Sequence, residues 1–139
     1  LFQYFQKAFP ADYLVVDKSA ADIDKIGIKE SIIRSIEQII SNFNQSDTFF
    51  IIDGKFQYDF TCNHFQENRA DDVYFPVSVA SVLAKVHRDS LMDQLHQEFP
   101  QYGWNTNKSY GTKAHREAIE KYGITKYHRK SYKPVCNYL

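Results

Sequence analysis

Apolar residues recur at Ile28, Ile32, Ile36, Ile39 and Phe43, with Ile33 and Ile40 widening the stripe. Positions three and four apart share one side of an α-helix, so the pattern predicts a helix with a core-facing stripe. Gly27 breaks the chain just before it, and Ser19-Ala20-Ala21-Asp22 reads as an earlier helix start with Ser19 as N-cap. Thr48-Phe49-Phe50-Ile51-Ile52 is a continuous apolar, β-branched and aromatic run ending in Asp53-Gly54. Such a run predicts a strand buried on both faces. A second long helix is predicted over 77–99, with Val79, Leu83, Val86, Leu91, Leu95 and Phe99 as apolar positions and Pro100 and Gly103 ending it. On that helix Ser78, Ser81, Lys85 and Arg88 follow steps of three, four and three and form one polar stripe. Residues 101–111, rich in Asn, Gly and Tyr, read as a loop; Thr112 caps a last helix through Lys121, and Gly123 is its C′ residue. Residues 1–9 read as the end of a helix stopped by Pro10, Tyr13-Leu14-Val15-Val16 as a short β-prone run, and 125–139 as a tail without period. No repeat or interdomain linker interrupts the pattern, so a single domain over 1–139 is expected.

A helix followed by a buried strand is the rhythm of an α/β fold, in which sites gather at the carboxyl ends of strands. Asp53 sits at such an end. The length of 139 residues suffices for one domain with a real core. With 43% hydrophobic and 24% charged residues the composition is globular and not that of a disordered chain. No apolar run approaches the ~20 residues of a membrane-spanning helix, and no secretory signal is visible. Cys62 and Cys136 lack metal-ligand spacing, so a reduced, cytoplasmic protein is the simplest expectation. The first residue is Leu1 and the single methionine is Met92, which leads us to expect a chain cleaved or copied from a longer one.

The zero net charge hides an asymmetry: residues 1–75 hold 7 basic and 12 acidic residues (7 − 12 = −5), whereas 76–139 hold 10 and 5 (10 − 5 = +5). Two solvated faces of opposite sign would account for this; so would carboxylates at one place and a polyanion-binding surface at another. Asp53 is either a reactive carboxylate or a turn residue, since Asp-Gly is a strong turn signal. Asp71 and Asp72 repel unless a cation neutralises them, which favours a hard metal ion; an acidic turn flanking a helix is the plainer account. Lys108-Ser109-Tyr110-Gly111-Thr112 sets a cation and an aromatic ring on a loop, a combination that holds nucleic-acid backbones and sugars, or else a hinge with a packed Tyr. His128-Arg129-Lys130 adds further charge.

Taken together these segments resemble bacterial ribonuclease HII. The match is carried by Phe50-Ile51-Ile52-Asp53-Gly54; by Ala70-Asp71 followed by the run from Val77 to Asp89; by Phe99-Pro100-Gln101-Tyr102-Gly103; by Lys108-Ser109-Tyr110-Gly111-Thr112; and by His128-Arg129-Lys130-Ser131-Tyr132 with Pro134. Asp22-Ile23-Asp24 stands where the family has an acidic-hydrophobic turn. The resemblance implies a ribonuclease H-like α/β fold, a mixed sheet flanked by helices with the first strands missing from this chain. It also implies an endoribonuclease that cuts the RNA strand of RNA–DNA hybrids on the 5′ side of ribonucleotides, using four carboxylates around two Mn²⁺ or Mg²⁺ ions.

By position Asp53 corresponds to the third carboxylate and Asp71, better than Asp72, to the fourth. Tyr110 corresponds to the tyrosine that stacks on the sugar at the RNA–DNA junction. Lys108, Ser78, Ser81, Lys85 and Arg88 fall in the segments that accompany the bound strands. The implied partner is an RNA–DNA hybrid or a ribonucleotide-containing duplex, with no membrane, and the full-length protein is expected to be a monomer.

The family's Asp-Glu pair and Gly-Arg-Gly loop have no counterpart in the 139 residues, and Ser109 stands where the family usually has Gly. The chain by itself is therefore expected to turn over little or nothing. Three other readings compete: a non-catalytic nucleic-acid-binding remnant; an α/β protein for a small phosphate-containing ligand, for which no GxGxxG or GxxxxGK[ST] motif is present; and a sheet completed by another polypeptide.

Overall fold

The computed structural model describes residues 12–138. The helix end expected over 1–9 lies outside the described residues. Helices α1 (Ala20–Ile26) and α2 (Ile28–Phe43) precede strands β1 (Phe50–Asp53) and β2 (His64–Glu67). A 3-10 turn at Ala70–Asp72 leads to α3 (Phe75–Glu98). A second such turn at Pro100–Tyr102 is followed by α4 (Trp104–Asn107), α5 (Lys113–Tyr122) and α6 (Lys133–Cys136). The chain divides into two compact units, one made of 12–17 with Ile32–Val86, the other of Lys18–Ser31 with 87–138.

In the first unit β1 and β2 pair in parallel, Phe50 opposite His64 and Asp53 opposite Glu67. Parallel strands ordinarily need a crossover of a dozen residues or more, yet only 54–63 connect these two. Side-chain amides hold the short return in place. Gln66 Oε1 accepts from the Phe56 N–H at 2.8 Å, Gln66 Nε2 donates to Tyr58 O at 3.0 Å, and Asn68 Oδ1 accepts from the Lys55 N–H at 3.0 Å. The buried Phe60 fills the return and meets Phe56, Tyr58 and His64 edge to face. The core here is Ile33, Ile40, Ile52 and Phe60, with Ile36, Phe50, Phe56 and Cys62 packed against it.

This corrects several expectations. Burial on α2 runs through Ile33, Ile36 and Ile40, whereas Ile28 and Ile32 are exposed. In β1 only Ile52 is buried, and Phe49 just before it is exposed, because a sheet of two strands covers little of itself. Tyr13-Leu14-Val15-Val16 forms no strand. Among the described residues the fold is therefore helix-rich α/β with a sheet of two parallel strands, and not a mixed sheet.

In the second unit α1 starts with a capping box. The Asp22 N–H donates to Ser19 Oγ at 3.1 Å and the Ser19 N–H returns a bond to Asp22 Oδ2 at 3.2 Å. Gly27 ends α1 at φ 83°, a region open to glycine at no steric cost. Asp24 then reaches far along the chain: Oδ1 accepts from the Ser131 N–H at 3.0 Å and its hydroxyl at 2.6 Å, and Oδ2 accepts from the Lys130 N–H at 2.7 Å. Burial would raise this carboxyl, but those hydrogen bonds outweigh it and hold it below the usual range.

The core of this unit is Leu95, Tyr102, Trp104, Ala118, Ile119 and Val135. The segment expected to be a loop thus supplies the two largest core rings, Tyr102 and Trp104, stacked at 5.1 Å. Its two helical pieces, Pro100–Tyr102 and Trp104–Asn107, are too short to show a period. Thr112 caps α5 as expected, accepting from the His115 N–H at 3.3 Å.

His115 and His128 lie inside this core, only 4% and 6% exposed, with their rings stacked at 5.3 Å. His115 Nδ1 donates to Tyr102 O at 3.2 Å. His128 Nδ1 accepts from the Thr125 N–H at 3.0 Å, which fixes the proton of the neutral ring on Nε2. Burial, with the neighbouring His115 adding to it, lowers His128 to about 4; burial lowers His115 as well.

The unfolded chain therefore takes up a proton near pH 6.5 that the folded chain refuses until about pH 4. Stability is complete above pH 6.5 and falls as the pH drops through that window, by about 3 kcal/mol for His128. Urea unfolding followed through the fluorescence of the single Trp at pH 7.5 and pH 4.5 checks this. His128→Asn is expected to shrink the difference, leaving the His115 share.

Candidate functional site

The parallel register carries Asp53 to the carboxyl end of β1. There Oδ1 accepts from the backbone N–H of Ala70 at 2.9 Å. Ala70 is fully buried, and the bond ties the end of β1 to the 3-10 turn that carries Asp71 and Asp72. Arg69 precedes that turn in the left-handed region at φ 60°. Its guanidinium pairs with Asp72 at 2.6 Å, which relieves the repulsion between the adjacent carboxylates. Among the described residues nothing engages the Asp71 carboxylate. Asp53 spends one oxygen on Ala70 and keeps the other.

Asp53 is thus bonded to Ala70, the residue beside Asp71, so the turn that carries Asp71 meets the carboxyl end of β1. An all-oxygen, acidic donor pair suits a hard divalent cation. Among the described residues no cluster of three or more His, Cys, Asp or Glu could hold a metal, so these residues fit part of such a site and not a whole cage.

The helix stripe divides between the two units. Ser78, half-buried, and Ser81 and Lys85, exposed, belong to the first; Arg88 belongs to the second. In the second unit Arg88 organises the loop after α4. Its guanidinium donates to Lys108 O at 3.1 Å and lies 5.8 Å from the centroid of the Tyr110 ring. That ring is 66% exposed, so it is offered outward and does not pack into the core.

Lys108, in contrast, pairs through Nζ with Asp93 at 2.5 Å and with Asp89 O at 3.3 Å, and its charge is spent inside the protein. Lys108 and Ser109 both adopt left-handed backbone, at φ 46° and 67°, a conformation costing roughly 1–2 kcal/mol for an L-residue. A glycine at 109 would avoid that cost. Asn107 secures the turn, accepting from the Ser109 N–H at 2.9 Å and donating to Tyr102 O at 2.7 Å. Asp93 and Asn107 escape the sequence reading, because each acts through a backbone turn that no spacing reveals; Asn ahead of two left-handed residues is the signal available.

The chain is similar to known proteins over most of its length. The family model described as ribonuclease HII matches residues 6–135. A ribonuclease HII of Christiangramia forsetii is 41% identical over 113 residues, covering 81% of this chain and 57% of the relative. One from Cytophaga hutchinsonii is 38% identical, covering 87% and 61%. One from Oceanobacillus iheyensis is 36% identical over 137 residues, covering 99% and 52%. The chain therefore spans little more than half the length of these curated relatives.

Asp53→Ala leaves the buried Ala70 N–H without an acceptor and is expected to cost ~1–3 kcal/mol. Asp53→Asn keeps a side-chain oxygen in place and is expected to cost less than half as much, while Asp71→Asn leaves stability unchanged. Urea midpoints of the three variants check the order.

Proposed function

The chain belongs to the ribonuclease HII family, and from that membership we propose that it is part of an endoribonuclease acting on the RNA strand of RNA–DNA hybrids. Cleavage falls on the 5′ side of ribonucleotides in duplex DNA, leaving 5′-phosphate and 3′-hydroxyl ends, as the family resemblance implies. The observation that supports this reading is the bond from the Ala70 N–H to Asp53, which ties the end of β1 to the turn that carries Asp71.

In this reading Asp53, through its unspent oxygen, and Asp71 hold divalent metal, Mn²⁺ or Mg²⁺. When bound, such ions supply charge neutralisation at the scissile phosphate and acidify water. Asp53 also keeps the turn in place through Ala70, so one side chain serves both the ligand and the geometry. Tyr110 stacks on the sugar at the RNA–DNA junction, and Arg88 orients the loop that presents it. Ser78, Ser81 and Lys85 face the bound strands from α3, and the excess positive charge of residues 76–139 favours the backbone. Lys108 supports the loop from within. No helix among the described residues is long and apolar enough to cross a membrane, and a cytoplasmic setting accords with a role in replication and repair.

With two of the family's four carboxylates, this polypeptide alone binds metal weakly and has little or no turnover. A second reading, a nucleic-acid-binding chain without catalysis, is favoured by the lack of a three-ligand cluster among the described residues. Calorimetry with Mn²⁺ separates the two. Weak binding by the native chain, abolished in both Asp53→Asn and Asp71→Asn, is expected; no binding at all, with hybrid binding retained, selects the second reading. Tyr110→Ala is expected to weaken binding of a ribonucleotide-containing duplex by ~5- to 150-fold, the equivalent of ~1–3 kcal/mol of stacking, with no change in melting temperature. An equal loss in both measurements would assign the ring to packing.

A further inference from the structure

A cavity of about 210 Å³ opens in the second unit between the Tyr110 loop and the His128–Tyr132 segment. It is smaller than the ~300–1,000 Å³ of pockets for drug-sized ligands, so it suits a small group. Two guanidiniums line it, Arg88 and Arg129, and no carboxylate does. Neither makes an ion pair among the described residues. Arg88 spends a hydrogen bond on Lys108 O and Arg129 lies over the Tyr132 ring at 5.1 Å; each guanidinium carries five N–H donors. Arg129 acts electrostatically on Asp24, but both oxygens of that carboxylate already accept hydrogen bonds from Lys130 and Ser131. The cavity wall also includes the ring of His128, whose Nε2, the nitrogen that carries the proton, is buried without a partner.

We propose that this cavity is a phosphate subsite, in which Arg88 and Arg129 grip one backbone phosphate of the bound nucleic acid. Two planar donor forks facing one small space match the oxygens of a phosphate, and Arg makes such contacts bidentate. Tyr110 forms part of the same wall. A ring stacked on a sugar lies next to the phosphates that flank that sugar, so this assignment rests on the proposed role of Tyr110. The stacked, neutral His115 and His128 give the subsite a rigid base beneath the charges.

The test has two arms. In the first, inorganic phosphate is titrated into the native chain and followed by NMR at the Arg Nε–H and His128 Nε2–H signals. Saturable shifts are expected, weakened at least tenfold in Arg129→Gln and separately in Arg88→Gln, with near-ultraviolet circular dichroism of the aromatic core unchanged. Shifts that do not saturate, or that survive both substitutions, overturn the subsite.

In the second arm, binding of a ribonucleotide-containing duplex is measured against salt. Arg129→Gln is expected to reduce the slope of log K against log salt by about one, the mark of one lost phosphate contact. A single neutral methylphosphonate at the matching duplex position is expected to weaken the native chain and to have no further effect on the variant. Phosphate binding with an unchanged slope would assign the cavity to free phosphate and overturn the backbone contact. If the native chain binds no duplex at all, the ribonuclease reading fails while the first arm still decides the cavity.

Discussion

The bond from the Ala70 N–H to Asp53 carries the local architecture of the first unit. A fully buried N–H needs an acceptor, and here the acceptor is a carboxylate at a strand end. That requirement sets the turn against β1, puts Arg69 into left-handed backbone, and leaves Asp72 to the Arg69 guanidinium. Asp71 is the carboxylate left over. One hydrogen bond thus distinguishes two neighbouring aspartates that sequence alone leaves nearly equivalent.

The second unit is built on a different constraint, the burial of polar rings. Tyr102, Trp104, His115 and His128 form one stacked and edge-to-face group. Each polar tip that finds a partner fixes a strand of backbone: the Tyr102 hydroxyl donates to Gly123 O at 2.9 Å, His115 to Tyr102 O, and Thr125 to His128. Because burial keeps the imidazoles neutral, they add no positive charge beside the guanidiniums of Arg88 and Arg129. The core and the charged surface are therefore two faces of one arrangement.

Much of this was legible from pattern. The caps at Ser19 and Thr112, the breaks at Gly27 and Gly123, the long helices and the position of Asp53 at a strand end all follow from local chemistry that each short segment contains. Tyr110 and the aspartates could be singled out because the motifs around them resemble a family. The burial of α2 was misplaced because a widened apolar stripe has no unique centre, and neighbours decide which side is covered. Tyr102 and Trp104 hid in a segment whose Gly and Asn content spells loop. The partners of Lys108 and Asp24 were invisible, since each lies well over a dozen residues away and no periodicity spans such distances.

The clasp from Asp24 to Ser131 closes a stretch of 107 residues. Closing so long a loop costs roughly 4 kcal/mol of chain entropy, so the clasp forms only after the segments between have gathered. During synthesis at ~5–20 residues per second, Asp24 is made ~5–20 s before its partner exists. In that interval α1 lacks the Lys130–Ser131 clasp, and a protease meets Asp24 and its neighbours before those residues arrive to shelter them.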